Sequence, residues 1–251
     1  MDSAEKKEIK TLKISFLIII FCIVLIKSNL NAQIQLMAFS DVGHSNVSDG
    51  MFLQSSVGVN YEFRQFALES GIRNDIISNN KSFFSGFNLG LTHFFSYKQK
   101  KYDIKAFFIS TVLSGFVNER NYSALIATHR EHFNFKIGTG FRSIGFTQHA
   151  IETTQTNLEN RIFEIFNPLY HFSYSLNKIN KNWNVGVAVT NIDHFVINQP
   201  TNPITTAFGH YKINDSVRLT AEMWYKTAGA FNLHVNYFGW FFRPGIIWEL
   251  K

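Results

Sequence analysis

Two short histidine-containing segments are the places in this chain where side chains could do chemistry. In the first, His44 and Ser45 are adjacent and Asn46 follows. A histidine beside a serine can remove the hydroxyl proton for attack on an ester, while a third group fixes the imidazole tautomer. On a strand, adjacent side chains point to opposite faces, so this pair could meet only in a bent loop. The alternative, which we favour, is a polar loop over Asp41–Gly50.

The second segment is His129-Arg130-Glu131-His132. Two histidines three residues apart suit a metal site on a helix or turn, but structural zinc takes four ligands. No cysteine or second carboxylate cluster accompanies these histidines, so a solvated hairpin turn is the expected structure. The chain also lacks a Gly-Lys-Ser phosphate loop, a dinucleotide fingerprint and an HExxH motif. We therefore expect no enzyme, no metal and no cofactor.

The elements that would position these segments are strands. From Met51 onward, stretches of eight to fifteen residues alternate apolar and polar positions, as between Leu53 and Phe63. Successive side chains of a strand lie on opposite faces, so each strand has one apolar and one polar surface. The apolar surface is rich in Phe, of which the chain has 27. This pattern predicts an all-β protein, a single antiparallel transmembrane β-barrel of a bacterial outer membrane. The alternative is a secreted sandwich with one buried face.

Thirteen segments have the alternation of a strand. Single-chain bacterial barrels have an even number of strands, so we predict about twelve, with ten to fourteen allowed. Either the first segment lies outside the wall or one segment, such as Tyr122–Thr128, is not a strand. The segments are Gln33–Phe39, Phe52–Phe63, Phe66–Ile77, Phe83–Tyr97, Tyr102–Val117, Tyr122–Thr128, His132–Phe146, Leu169–Asn177, Trp183–Ile192, Thr205–Ile213, Val217–Thr227, Ala230–Tyr237 and Phe242–Leu250.

The breaks between these segments differ in length. Short turns on one rim and long loops on the other are typical of outer-membrane barrels. The tight polar turns are Arg64–Gln65, Lys98–Lys101 and Asn214–Ser216, and the long breaks are Asp41–Gly50, Thr147–Asn160 and Asp193–Asn202.

The first 32 residues have the organisation of an export signal. A flank containing four lysines precedes an apolar segment, Ile14–Ile26, and a small-residue site ends at Ala32. We predict a signal peptide over residues 1–32, cleaved near Ala32–Gln33, and a barrel domain over residues 33–251. The alternative is an uncleaved inner-membrane anchor, although a spanning helix needs about 20 apolar residues. Cys22, the only cysteine, lies inside the signal.

Charged residues are scarce, at 17% of the chain against about a quarter in soluble domains. Those in the strands fall on the polar face, which would enclose the interior. They either form cross-strand pairs that fill a narrow lumen or line a small pore with a slight cationic preference. We favour the filled interior, because both signs and bulky side chains share this face. The expected lumen charges are Glu69, Arg73, Asp103, Lys105, Lys136, Arg142, Arg218, Glu222 and Lys226.

The last strand reads RPGIIWEL, from Arg243 to Leu250. It resembles the C-terminal assembly signal of Gram-negative outer-membrane barrels, with matches at Arg243, Gly245, Trp248 and Leu250. The resemblance implies folding by the barrel-assembly machinery. A fainter resemblance lies in the runs NWNVGVAVTNI and TAFGHYKINDSVRLTAEMWYK, which are similar to hairpins of the PorP/SprF family. That resemblance implies a non-enzymatic barrel that accompanies type IX secretion or gliding.

The sequence therefore predicts a non-enzymatic outer-membrane barrel that is structural or binds partners. The expected partners are membrane lipids, the barrel-assembly machinery and secretion or motility proteins. Nucleic acid is not expected, because the net charge of +6 is mild. One alternative is a small passive, porin-like channel. Another is a surface lipid hydrolase based on His44 and Ser45, which are similar to the H-x-S-N motif of outer-membrane lipases and lipid A deacylases.

Overall fold

The structure, a computed structural model, describes residues 32–45, 50–77, 86–113, 117–154, 163–177, 182–192, 203–226 and 239–250. Twelve strands form a closed antiparallel barrel, in which each strand pairs with its neighbours in sequence and β1 pairs with β12. The prediction of a single barrel with about twelve strands is confirmed, and a sandwich is excluded. The strands are β1 Ala32–Ser45, β2 Gly50–Phe63, β3 Phe66–Ile77, β4 Gly86–Tyr97, β5 Lys100–Leu113, β6 Val117–His129, β7 Phe133–Phe146, β8 Phe163–Asn177, β9 Trp183–Thr190, β10 Ile204–Lys212, β11 Val217–Lys226 and β12 Trp240–Leu250.

The two faces of the wall follow the alternation in the sequence. Outward side chains in the middle of the strands are large, apolar and exposed, as for Leu91, Ile137 and Val187. Their neighbours along the chain point inward and are largely polar, charged or Gly. A closed wall leaves no sheet edge unpaired, so every strand can satisfy its backbone groups inside an apolar surrounding. This is the architecture of outer-membrane barrels.

The structure decides two strand assignments that the sequence left open. Tyr122–Thr128 is part of a genuine strand, β6, and the first segment belongs to the wall as β1. The predicted strand Ala230–Tyr237 lies outside the described residues, as do the break Asp193–Asn202 and the first part of Phe83–Tyr97.

The prediction of a loop over Asp41–Gly50 is wrong for most of its length. β1 continues to Ser45 and pairs residue by residue with β2, down to Ser45 opposite Gly50. β12 pairs with the other side of β1 as far as His44. Two partner strands satisfy the backbone groups on both sides, and this outweighs the turn-like composition of the segment.

The long break Thr147–Asn160 contains a helix, α1, over Gln148–Thr154. Thr147 caps the helix, because its Oγ1 accepts a hydrogen bond from the Ala150 N–H at 3.1 Å. Seven residues are too few for apolar periodicity to be visible in the sequence. Within the described ranges, no helix combines the length and apolar character needed to cross a bilayer.

The two ends of the barrel differ. The short-turn rim contains Ala32, Leu250 and the tight turns Arg64–Gln65 and Lys98–Gln99. Lys98 and Gln99 both have positive φ, at 47° and 62°, as type I′ hairpin turns require. The opposite end, which includes Ser45, Gly86 and α1, is called the long-loop rim below.

Placing a charge on the outer face should destabilise the barrel in a lipid bilayer. Ile137 lies in the middle of β7 and is 46% exposed on that face. We expect Ile137→Arg to lower the free energy of unfolding by about 2–4 kcal/mol, measured by denaturant titration in vesicles. Ser143→Arg, on the same face near the long-loop rim, is the matched control and should cost about 0–1 kcal/mol. Equal small effects at both positions would contradict contact with hydrocarbon.

Candidate functional site in the barrel interior

The interior of the barrel brings together many of the charges that the sequence predicts there. Lys105 Nζ lies 2.7 Å from Glu69 Oε2, although β4 separates their strands β5 and β3. Gly90 of β4 makes this pair possible, since it lies opposite Glu69 in register. A Cβ at Gly90 would lie 2.7 Å from Glu69 Cγ, which is closer than real contacts allow. The ion pair therefore crosses β4 where that strand has no side chain.

A deeply buried ion pair joins Arg142 of β7 to Glu119 of β6. Arg142 Nε lies 3.0 Å from Glu119 Oε1, and the two side chains are 8% and 0% exposed. Asn121 joins both groups, because its Nδ2 donates to Glu119 Oε1 at 2.7 Å and its Oδ1 accepts from Arg142 Nε at 3.1 Å. The sequence identified Arg142 but not Glu119, because the predicted strand began only at Tyr122.

Arg243 connects three strands near the long-loop rim. Its Nε and Nη2 donate to the two carboxylate oxygens of Asp41 in β1, at 2.6 and 3.1 Å. On its other side, Arg243 Nη1 lies 3.6 Å from Glu222 Oε2 in β11. The guanidinium also lies 5.2 Å from the ring centroids of Trp224 and Phe241, a cation–π distance. The sequence assigned Arg243 only to the assembly signal.

Two further contacts lie toward the short-turn rim. Arg218 Nη2 lies 2.6 Å from Glu249 Oε1, which joins β11 to β12. Asp103 contacts Nε2 of His129, whose Nδ1 lies 2.8 Å from Asn134 Oδ1. The sequence identified Arg218 and Asp103 as lumen residues without their partners. The two partners, Glu249 and His129, also lie at inward positions of their strands. Alternation in the sequence therefore could not show which residues pair, because pairing depends on strand register.

The other predicted lumen charges, Arg73, Lys136 and Lys226, lie at different heights in the barrel. Lys226 is buried near the long-loop rim, and Arg73 lies beside the interior cavity described below. Lys136 lies opposite His171 in register, near the middle of the barrel. Among the described residues, no carboxylate forms an ion pair with Lys136. The wall formed by β7 and β8 therefore presents an inward amine.

An apolar cluster occupies the lumen at the long-loop rim. It consists of Phe52, Ile204 and Phe241, which are almost fully buried, with Trp224 packed against them. The Phe241 and Trp224 rings stack with centroids 5.3 Å apart, and Phe52 lies 6.3 Å from Phe241. The cluster narrows the interior beside the Arg243 contacts.

A cavity of about 250 Å³ lies inside the wall formed by β12 and β1 to β5. This is far more than the roughly 10–15 Å³ that one water molecule needs. Inward glycines provide part of the space, since Gly58, Gly71 and Gly86 all line it. The polar and charged groups along it are Glu69, Arg73, Asn88, Lys105, Thr111 and Arg243. The interior is thus neither empty nor filled throughout.

The remaining residues of the predicted assembly signal lie on both faces of β12. Trp248 is exposed on the outer face, and Leu250 pairs with Ile34 at the short-turn rim. Gly245 faces inward, where a Cβ would lie 2.7 Å from Thr220 Oγ1. Recognition of these residues by the assembly machinery stays a prediction.

The two segments with potential chemistry lie in ordinary positions of the wall. His44 and Ser45 belong to β1, and His44 is exposed on the outer face near the long-loop rim. His132 Nδ1 lies 3.1 Å from the Ser175 carbonyl oxygen, which fixes the turn before β7. Within the part of the chain that the structure describes, no three His, Cys, Asp or Glu residues gather as a metal site.

Comparison with known proteins identifies the architecture. No protein-family model matches the chain, and no curated protein matches its sequence. Among solved structures, the chain is similar to the KdgM porin, with a TM-score of 0.52 and 10% identity over 86% of this chain and 99% of that one. It is also similar to the NanC porin, with a TM-score of 0.51 and 10% identity over 86% and 100% of the two chains. The fold is that of a porin.

A third similar structure is a KdgM porin in complex with disordered oligogalacturonate, with a TM-score of 0.51 and 10% identity over 87% of this chain and 99% of that one. At such low identity these similarities show the porin fold alone. They give no support to the resemblance to the PorP/SprF family or to a role in type IX secretion.

Proposed function

We propose that this protein is a small passive channel of the bacterial outer membrane, without catalytic activity. The export signal predicted over residues 1–32 would bring it there. One observation carries the proposal: a closed barrel with an apolar exterior contains an interior cavity of about 250 Å³, whose lining includes the charged residues Glu69, Arg73, Lys105 and Arg243 beside apolar ones. A polar solute can cross hydrocarbon through a protein whose apolar exterior surrounds an interior with polar and charged groups. The similar porins support the same interpretation.

The charges suggest which solutes would pass. Several lumen carboxylates are already engaged by cations, as in Glu69 with Lys105 and Asp41 with Arg243. Lys136 faces the interior without a carboxylate partner among the described residues. A small, hydrated anion would therefore meet less repulsion than a cation of the same size. One similar porin is described with oligogalacturonate, a polyanion, and this fits an anionic preference.

The test is conductance of the purified full-length protein in planar lipid bilayers. We expect discrete, steady current steps and a reversal potential that favours anions in a salt gradient. Lys136→Glu should shift the reversal potential toward cations, because it places a carboxylate in the lumen. Arg130→Glu, which makes the same charge change in the exposed turn before β7, is the matched control and should shift it much less. Absence of steady current from folded protein would refute the channel.

A second candidate is a closed barrel that serves as a structural or partner-binding element. The supporting observation is the apolar cluster around Phe241, which occupies the lumen beside the contacts of Arg243. The sequence resemblance to PorP/SprF hairpins would make the partners secretion or motility proteins. A silent bilayer, together with recovery of such proteins by pull-down from native membranes, would favour this role over the channel.

A further inference from the structure

Three cations form an exposed patch on the outside of the short-turn rim. They are Arg64 in the turn between β2 and β3, and Lys98 and Lys100 at the turn between β4 and β5. β3 pairs with β4, so the two turns are neighbours, separated by about two strand spacings or roughly 10 Å. Arg64 and Lys98 have φ values of 53° and 47°, as expected in tight turns with defined geometry. The patch is therefore built on the ends of two adjacent hairpins.

The patch lacks the neutralisation found elsewhere on this rim. Lys212 pairs with Asp215 at 2.7 Å in the turn between β10 and β11. In contrast, no described carboxylate forms an ion pair with Arg64, Lys98 or Lys100. The nearest acidic residues along the chain face inward, where Glu62 accepts a hydrogen bond from Asn60 and Asp103 contacts His129.

A continuous row of aromatic rings lies beside the patch on the outer face. Successive ring centroids across β2 to β5 are 4.8 to 5.9 Å apart. Lys98 Nζ also lies 5.3 Å from the Tyr97 ring centroid. Aromatic belts with polar tips mark the boundary between hydrocarbon and headgroups. The rings in the row are Tyr61, Phe63, Phe66, His93, Phe95 and Tyr102.

We propose that this patch binds the phosphate groups of anionic phospholipids in the leaflet next to the short-turn rim. The aromatic row places Arg64, Lys98 and Lys100 at headgroup depth, where phosphate oxygens accept charge-assisted hydrogen bonds. A guanidinium matches phosphate geometry with two donors, and the ammonium groups add point charges. This inference rests on the membrane location in the proposed function but not on conductance. A silent bilayer would therefore refute the channel without affecting the lipid site, and loss of lipid preference would refute the lipid site without affecting the channel.

The test measures lipid retention by the full-length barrel in detergent with native mass spectrometry. Phosphatidylglycerol and phosphatidylethanolamine with identical acyl chains are the two probes. We expect the wild type to retain phosphatidylglycerol preferentially. In Arg64→Gln/Lys98→Gln/Lys100→Gln, we expect binding to weaken about fivefold per cation, or on the order of a hundredfold in total. Gln suits these turns, because Gln99 already has a φ of 62°.

The matched control removes three other exposed cations from the same rim, as Lys101→Gln/Arg130→Gln/Lys212→Gln. This control lowers the net charge by the same three units as the patch variant. It leaves the patch intact, because Lys101 occupies an inward position of β5. Unchanged retention in the patch variant, or equal loss in the control, would overturn the proposal. Heat-modifiable gel mobility verifies that each variant is folded.

A measurement on the wild type keeps the proposal testable if the patch variant does not fold. Raising the ionic strength to about 1 M shortens the screening length to about 3 Å. Preference for phosphatidylglycerol should then disappear. A preference that persists in high salt, or no preference at low salt, would overturn the proposal.

Discussion

Replacing Arg142 with Met should lower the free energy of unfolding by about 3–5 kcal/mol. The Glu119 carboxylate is fully buried and would lose the guanidinium 3.0 Å away. Asn121 still donates to that carboxylate, but an amide does not compensate a buried charge. The measurement is equilibrium denaturant unfolding of the barrel in lipid vesicles, followed by tryptophan fluorescence and gel mobility.

Two further variants separate the ion pair from a general effect of lost charge. Lys212→Met breaks the exposed pair with Asp215, whose side chains are 50% and 76% exposed, and should cost about 0–1 kcal/mol. Glu119→Leu/Arg142→Met removes both buried charges and should recover much of the lost stability. If Arg142→Met lowered the free energy of unfolding no more than Lys212→Met does, the buried pair would stabilise the barrel no more than an exposed pair.

Replacing Arg243 with Met should both destabilise the barrel and widen its lumen. The Asp41 carboxylate is 2% exposed and receives two hydrogen bonds from the guanidinium, so its loss should cost about 3–5 kcal/mol. Arg243 also lines the interior cavity, and the Met side chain is shorter and uncharged. In the proposed channel, single-channel conductance should therefore rise. Denaturant unfolding and planar-bilayer recording measure the two effects separately.

Arg218→Met is the matched control for Arg243→Met. Arg218 pairs with Glu249 near the short-turn rim, is 37% exposed and does not line the cavity. We expect a cost of about 0–1 kcal/mol and little change in conductance. Lost stability with unchanged conductance in Arg243→Met would limit Arg243 to a structural role. If Arg218→Met changed the free energy of unfolding and the conductance as much as Arg243→Met does, Arg243 would be no more important than other lumen arginines.

Arg142 and Arg243 take part in two different sets of contacts in the interior. Arg142 and Glu119 lie on the inner face of the wall and join β7 to β6. Arg243 instead reaches from β12 to β1 and β11, beside the apolar cluster at the long-loop rim. Removing one partner of either set leaves a charge in a poorly solvated place.

The barrel itself could be predicted from the sequence because its signal is local. Alternation with a period of two marks each strand and separates the outward from the inward positions within it. Lys105 and Glu69 could therefore be assigned to the interior, and Ile137 to the exterior, without any knowledge of pairing. About twelve strands could be expected from thirteen candidate segments, because single-chain bacterial barrels have even strand numbers.

Pairing, in contrast, was decided only by the tertiary structure. Asp41 and Arg243 are 202 residues apart and meet because β1 closes against β12. Lys105 reaches Glu69 because register places Gly90 between them. The same pairing extends β1 to Ser45 through a stretch with the composition of a turn. Which charge meets which depends on strand order and register, and those are properties of the closed sheet that no local pattern contains.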